Sequence, residues 1–313
     1  MLDNKYSTFS MSIPIVFQSF FQILFGLVDI GFLSYCSDTV VASVGYANQI
    51  ISVVLLAYIV VCSAVSIVGA QYIGEKRIED LHALSMDAIT GTVIISLFLT
   101  IVLLLSNNYI IEFLNVPISM SNGTSTYLSV ISVGLLFQGG NTVLTSIYRI
   151  YANGNYAMYV GILTNTLNIL GDACVVFNPL KYDYDCIFGV AAATVVSNFI
   201  GFILMLYYYN CNISIEHIFI HSISADNVKI LMKYGIPAAG ENISYKISQL
   251  FVTVFITSLG SYILTSKIYA MNIMLFVSLI PNSIGIATGI IVGYLFGEKS
   301  MMFCLKNAIK ISK

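Results

Sequence analysis

The sequence predicts an all-α integral membrane protein of about eight transmembrane helices. Three observations carry that prediction. Hydrophobic residues fill 58% of the 313 positions and charged residues only 9%, where a soluble domain carries roughly a quarter charged. Apolar runs long enough to cross a hydrocarbon core recur along the whole chain. The basic residues, finally, gather on one side of those runs. A β-barrel is excluded because its strands are short and alternate in polarity, whereas these runs are long and evenly apolar. In lipid, such segments satisfy their backbone groups only as helices.

The first span, Ile13–Leu33, carries Asp29 and is a full-length helix, not a cleaved signal. Spans two to four, Gln49–Ile73, Ala88–Ser106 and Thr126–Tyr148, contain no charge. Span five, Met158–Phe177, carries Asp172, and span six, Phe188–Asn210, is uncharged again. A polar stretch over 212–233 follows. Its second half, Ser224-Ala-Asp-Asn-Val-Lys-Ile-Leu-Met-Lys233, opens on capping residues and turns amphipathic, which predicts an interfacial helix. Span seven, Ile236–Leu259, contains Glu241 and Lys246, and span eight is Ala270–Phe296. A cytoplasmic N-terminus places ten basic residues inside (Lys5, Lys76, Arg77, Arg149, Lys229, Lys233, Lys299, Lys306, Lys310 and Lys313) and only Lys181 and Lys267 outside. The positive-inside bias therefore sets the orientation.

Shifting the chain by 223 residues lays its start on its end: Ile13-Pro14 on Ile236-Pro237, Tyr46-Ala47 on Tyr269-Ala270, Ala64 on Ala287, and Gly74-Glu75-Lys76 on Gly297-Glu298-Lys299. A one-residue slip is expected near Gly69 and Gly293. Spans one and two are thus repeated, in the same direction, as spans seven and eight. Parallel repeats about an axis along the membrane normal are a secondary-transporter architecture. The organisation expected is a six-helix lobe over 1–211, a cytoplasmic linker over 212–233, and the first two helices of a second lobe over 234–313.

An acid deep in a span costs about 3 kcal/mol and marks function. Asp29 has Gln22 two turns before it on the same face. In span five, Thr164, Asn168 and Asp172 fall at helical spacing, with Asn165 beside them, and span six adds Thr194, Ser197 and Asn198. Three polar stripes predict a wet cavity within the first bundle. Interhelical hydrogen bonding alone accounts for Ser197 and Asn198, but not for two acids, since an amide would serve as well. Facing carboxylates repel, so the pair suits carriage of a proton, or of a sodium ion with Asn168 and Thr194 supplying oxygens; the sequence leaves the two ions open. Tyr127 reads as an interface aromatic or a cavity wall, Glu241 as a residue near the cytoplasmic mouth, and Arg149 as a positive-inside anchor. Cys62 and Cys174 read as small packing residues, and His82, His217 and His221 as solvated loop residues; no metal-ligand spacing joins the six cysteines and three histidines. No phosphate-cradling loop follows a strand, which leaves ATP drive unsupported. No cofactor and no nucleic-acid partner is expected.

The ordered motifs resemble the multidrug and toxic compound extrusion (MATE) family. Pro14, Gln22 and Leu27-Val-Asp29-Ile-Gly resemble its first helix, and Val68-Gly-Ala-Gln-Tyr-Ile-Gly74-Glu-Lys the close of its second. Asn165-Thr-Leu-Asn168-Ile-Leu-Gly-Asp172 resembles its fifth-helix motif, Phe188-Gly-Val-Ala-Ala-Ala-Thr194 the start of its sixth, and Gly235-Ile-Pro237 with Val292-Gly-Tyr-Leu-Phe-Gly297 the opening of its second lobe. The resemblance implies a multi-pass protein of the bacterial inner membrane that exports small organic, often cationic, compounds in exchange for protons or sodium. In the DinF-like branch it implies a cation site at Asp29, Asp172, Asn168, Gln22 and Thr194, with Tyr127 matching a cavity tyrosine. Another branch places an acid on the seventh helix where this chain has Tyr245, with Glu241 one turn early, a departure that favours the DinF-like assignment. The family has twelve helices, so the chain is expected to lack the last four and to be inactive alone. A flippase for lipid-linked saccharides is the alternative, though its cavity needs basic residues. An intramembrane aspartyl protease expects Gly-x-Gly-Asp, and here the chain reads Asn168-Ile-Leu-Gly171-Asp172.

Overall fold

In the computed structural model, residues 7–114, 116–177, 185–213, 223–257 and 261–298 are described. The expectations on Lys181, His217, His221, Cys304 and the basic segment from Lys299 lie outside them. All regular structure among the described residues is helical: α1 (Thr8–Cys36), α2 (Asp38–Gly74), α3 (Ile78–Phe113), α4 (Ile118–Ile150), α5 (Gly154–Phe177), α6 (Cys186–Asn212), α7 (Ala225–Thr257) and α8 (Ser261–Gly297). Seven of these helices are long and apolar enough to cross a membrane. The exception is α7, whose acids, lysines, amides and hydroxyls dilute its apolar run. The protein is a multi-pass, all-helical membrane protein.

The predicted interfacial helix is not separate. Residues 225–233 are the first turns of α7, which runs on through Pro237. Pro14 sits in the same way inside α1. A proline within a helix frees only one carbonyl, which did not suffice to break either copy.

Helix α4 is the central column. Of its most apolar stretch 61% is buried, against 11% for α5, because α2, α3 and α6 all pack against it. Leu144, Ile147 and Tyr148 anchor the core at the end of the bundle that holds the N-terminus, and Leu128, Ile131 and Leu135 the core at the opposite end. Polar ties cross between the helices. Tyr58 donates to the Leu135 carbonyl at 3.2 Å and pairs with Ser96 at 2.9 Å, and Asn107 donates to Ser129 at 2.7 Å. Such bonds hold membrane helices together where the hydrophobic effect does not.

The repeat is visible in space. Helices α2 and α8 are each 37 residues long, and α2 packs on α7 as α8 packs on α1. Across the axis, a Cβ at Gly74 would lie 2.0 Å from the Tyr294 carbonyl oxygen, and one at Gly297 would lie 2.2 Å from that of Gln71. Gln71 and Tyr294 are themselves related by the 223-residue offset, so the contact is self-complementary. The two backbones touch, and only glycine fits. The expected slip is corrected: a Cβ at Gly293 would lie 2.9 Å from that of Ala70, its equivalent at the constant offset. Gly69 instead faces Ile150 and Leu81, because it serves the packing of α2 inside the first lobe.

Two connections are built from left-handed residues. At the end of α2, Lys76 has φ 61°, and Arg77 N–H donates to the Tyr72 carbonyl. At the end of α4, Ala152 has φ 55°, and Asn153 N–H donates to the Tyr148 carbonyl. Both are Schellman turns. His82 is not a loop residue: it lies in α3, half-buried, its ring 6.1 Å from that of Tyr151.

Candidate functional site

Helices α1 and α5 pack side by side and bring Asp29 and Asp172 together. Asp172 is fully buried, and Asp29, half-buried on the adjoining helix, lies within electrostatic reach of it. Asp29 Oδ1 and both oxygens of Asp172 are buried with no hydrogen-bond donor among the described residues. Among the described residues no ion pair reaches either acid. Tyr127, buried on α4, lies within electrostatic reach of both carboxyls.

One turn before Asp172, Asn168 Nδ2 donates to Thr194 Oγ1 at 3.2 Å, and that hydroxyl donates to the Val190 carbonyl at 3.1 Å. This tie fixes α5 against α6 beside the acids. The other polar residues of the stripes satisfy themselves locally. Thr164 donates to the Val160 carbonyl at 2.8 Å, Asn165 to that of Gly161 at 2.8 Å, and Asn198 to that of Thr194 at 2.9 Å. Asn198 also accepts from Asn141 at its carbonyl, 3.0 Å away.

Gln22 lies exposed on α1, two turns before Asp29. The structure leaves the α7 residues apart from the pair: Glu241, Tyr245 and Lys246 are exposed on a helix that packs on α2. Cys174 is exposed on α5, not a packing residue, while Cys62 is partly buried.

Three features escaped the sequence reading. Cys36, at the end of α1, forms a disulfide with Cys186, at the start of α6, across 150 residues. The signal for it was present, since both cysteines adjoin spans at the same end of the bundle. Asp87, buried in α3, accepts from Asn227 Nδ2 at 2.6 Å and from Ser224 N–H at 3.4 Å, and so docks the start of α7 onto the first lobe. Arg149 is more than a surface anchor: its Nη2 donates to Gln18 Oε1 at 2.8 Å, and its Nε is buried without an acceptor.

Chemically, the centre is a pair of carboxylates, Asp172 fully buried and Asp29 half-buried, near an amide, a hydroxyl and a phenol, with no internal counter-charge among the described residues. Its donors are all oxygens, which suit a proton or a hard monovalent cation. Charge left unpaired at such a depth costs several kcal/mol, so the arrangement calls for a positive partner.

The profile of the MatE family matches residues 14–174 and 237–308. The chain is 27% identical over 312 residues to the uncharacterized transporter YisQ of Bacillus subtilis, covering 98% of this chain and 68% of that one. It is 26% identical over 298 residues to the multidrug resistance protein NorM of Vibrio vulnificus, covering 93% of this chain and 64% of the relative. A solved transporter of the MOP superfamily from Pyrococcus furiosus superposes with a TM-score of 0.87 at 20% identity, over 97% of this chain and 68% of that one. The chain thus spans about two thirds of the length of these relatives.

Proposed function

Because this chain belongs to the MatE family of membrane transporters, we propose that it serves secondary active efflux of small organic compounds in exchange for protons or sodium at Asp29 and Asp172. The orphaned carboxylate pair is the observation that supports this reading. Occupied by a proton or a sodium ion, the pair loses the charge that burial and mutual repulsion make costly. A cationic substrate entering the same bundle meets that demand in the ion's place, so the two compete electrostatically. Exchange then follows when the bundle rocks from one access state to the other. Asn168 and Thr194 hold α5 and α6 in register around the pair, and Tyr127 walls it. Gln22 and Glu241 stand outside this centre.

The placement of both acids in the first lobe, with Tyr245 on α7, supports the DinF-like branch. We place the N-terminal end of the bundle in the cytoplasm of a bacterial inner membrane. Lys76, Arg77, Arg149, Lys229 and Lys233 gather at that end. The Cys36–Cys186 bridge lies at the other end, where an oxidising compartment preserves it. The state described, with α2 and α8 touching at Gly74 and Gly297, is then closed toward the cytoplasm.

Because the 313 residues are expected to be inactive alone, the function is tested in vesicles reconstituted with this chain in a twelve-helix context, under an imposed proton or sodium gradient. Gradient-driven movement of a lipophilic cation that disappears in Asp172→Asn is the expected result. Equal movement in Asp29→Asn, Asp172→Asn and the parent protein would show the acids to be structural.

A further inference from the structure

A second polar centre lies at the opposite end of α1, about 22 Å from Asp29 at 1.5 Å per residue from Pro14. It is a cavity of about 350 Å³ whose lining includes Pro14, Arg149, Asn153, Asn155, Tyr156 and Tyr159. Among the described residues, no acid lines it. The Arg149 guanidinium uses one N–H on Gln18 and keeps Nε buried without an acceptor, and no ion pair reaches it among the described residues. A guanidinium presents five N–H donors in a planar fork that matches phosphate and carboxylate oxygens, and here most of the fork has no acceptor among the described residues.

Two helices also begin at this cavity. Ser10 lies in the first turn of α1, whose N-cap Ser7 makes no side-chain capping bond, and Gly154 and Asn155 open α5. Helix starts carry unsatisfied N–H groups and positive partial charge, so three sources of positive potential converge on one space. The left-handed turn at Ala152 brings them together by folding α5 back beside the end of α4. The wall behind is rigid: the rings of Tyr156 and Tyr208 stack at 3.8 Å, and Tyr156 donates to the Leu204 carbonyl at 2.9 Å. Ser10, Asn155 and Tyr159 are exposed at the mouth.

We propose that this cavity is a binding site for a phosphate-bearing anion, held by Arg149 and the first turns of α1 and α5. The anion comes either from an acidic phospholipid headgroup of the adjoining leaflet or from solution. The volume exceeds that of a bare phosphate, leaving room for a glycerol backbone. The site is separate from the carboxylate pair and stands whether or not that pair exchanges ions.

Native mass spectrometry and thermal stability of the purified 313-residue chain test it, with phosphatidylglycerol against phosphatidylcholine in one arm and inorganic phosphate against chloride at equal ionic strength in the other. The expected result is selective retention of phosphatidylglycerol, or stabilisation by phosphate, weakened at least tenfold in Arg149→Gln. Asn155→Asp, at the exposed mouth, places a negative charge there without touching the core and is expected to weaken binding by a similar factor. An effect in the lipid arm alone identifies a headgroup, and in the phosphate arm a soluble anion. Neither effect in the parent protein, or undiminished binding in Asn155→Asp and in a folded Arg149→Gln, would overturn the proposal.

Discussion

Gly297→Ala is the sharpest test of how the two repeats meet. The added Cβ would sit 2.2 Å from the Gln71 carbonyl oxygen, and 3.0 Å from the Gln71 carbonyl carbon and the Glu75 nitrogen. All three are backbone atoms, so no rotamer change relieves the clash, and α2 and α8 must part by about 1 Å to reach van der Waals distance. Overpacking of this kind costs about 1–3 kcal/mol, which shifts a two-state equilibrium roughly five- to 150-fold away from the touching state. Gly74→Ala meets the Tyr294 carbonyl at 2.0 Å and, by the symmetry of the contact, is expected to act alike. Gly285, on the same helix with nothing within 4 Å of its Cβ position, is the control; its alanine variant is expected to gain about 0.5–1 kcal/mol from helix propensity. The assay is the rate of cross-linking between cysteines placed at Glu75 and Glu298, in membranes, with the free native cysteines replaced. Both contact variants are expected to slow cross-linking about tenfold while Gly285→Ala leaves it unchanged. Parental rates in Gly297→Ala and Gly74→Ala together would refute the backbone contact.

Other substitutions probe the remaining features. Cys36 and Cys186 are expected to resist an impermeant maleimide in intact cells until a reductant is added and then to react, whereas a cysteine placed at Glu79 stays shielded; the reverse pattern would invert the orientation. Opening this bridge, which closes a loop of 150 residues, is expected to lower stability by a few kcal/mol on the chain-entropy estimate, read as a fall in melting temperature of Cys36→Ser. Asp87→Ala leaves Asn227 and the Ser224 N–H without their acceptor, at about 1–3 kcal/mol, and is expected to speed proteolysis ahead of α7; parental cleavage rates would contradict the docking role. Ala152→Gly removes the left-handed penalty of roughly 1–2 kcal/mol at a φ of 55° against an entropy cost of roughly 0.5–1 kcal/mol, and is expected to stabilise by the difference, measured by thermal unfolding.

Most of the fold was legible because lipid permits so few backbone solutions. Helix number, order and the repeat followed from apolar run length and one constant offset. The errors were local. The stretch 212–233 read as a linker with its own interfacial helix, yet residues 225–233 are the first turns of α7, supported by docking at Asp87. His82 read as loop because its neighbours are charged, although it lies in α3 beside Tyr151. Within the candidate site, spacing selected Asp29, Asp172, Asn168 and Thr194, which lie on α1, α5 and α6, helices that pack together in the order α1, α5, α6. It also selected Gln22, Glu241 and Tyr245, whose distance from the pair depends on how α1 and α7 rotate against their neighbours. The disulfide and the Arg149–Gln18 contact join residues 150 and 131 positions apart, and such pairings become visible only once helices pack.

The central claim is that Asp29 and Asp172 exchange a small cation for a substrate. Its most direct measurement is ion release on substrate binding, recorded in weakly buffered detergent solution with a proton indicator and a sodium electrode. Adding a lipophilic organic cation to the purified protein is expected to release protons or sodium in proportion to the cation bound, with release abolished in Asp172→Asn and in Asp29→Asn. Cation binding that releases neither ion from the parent protein, or releases the same amount from both variants, would contradict it.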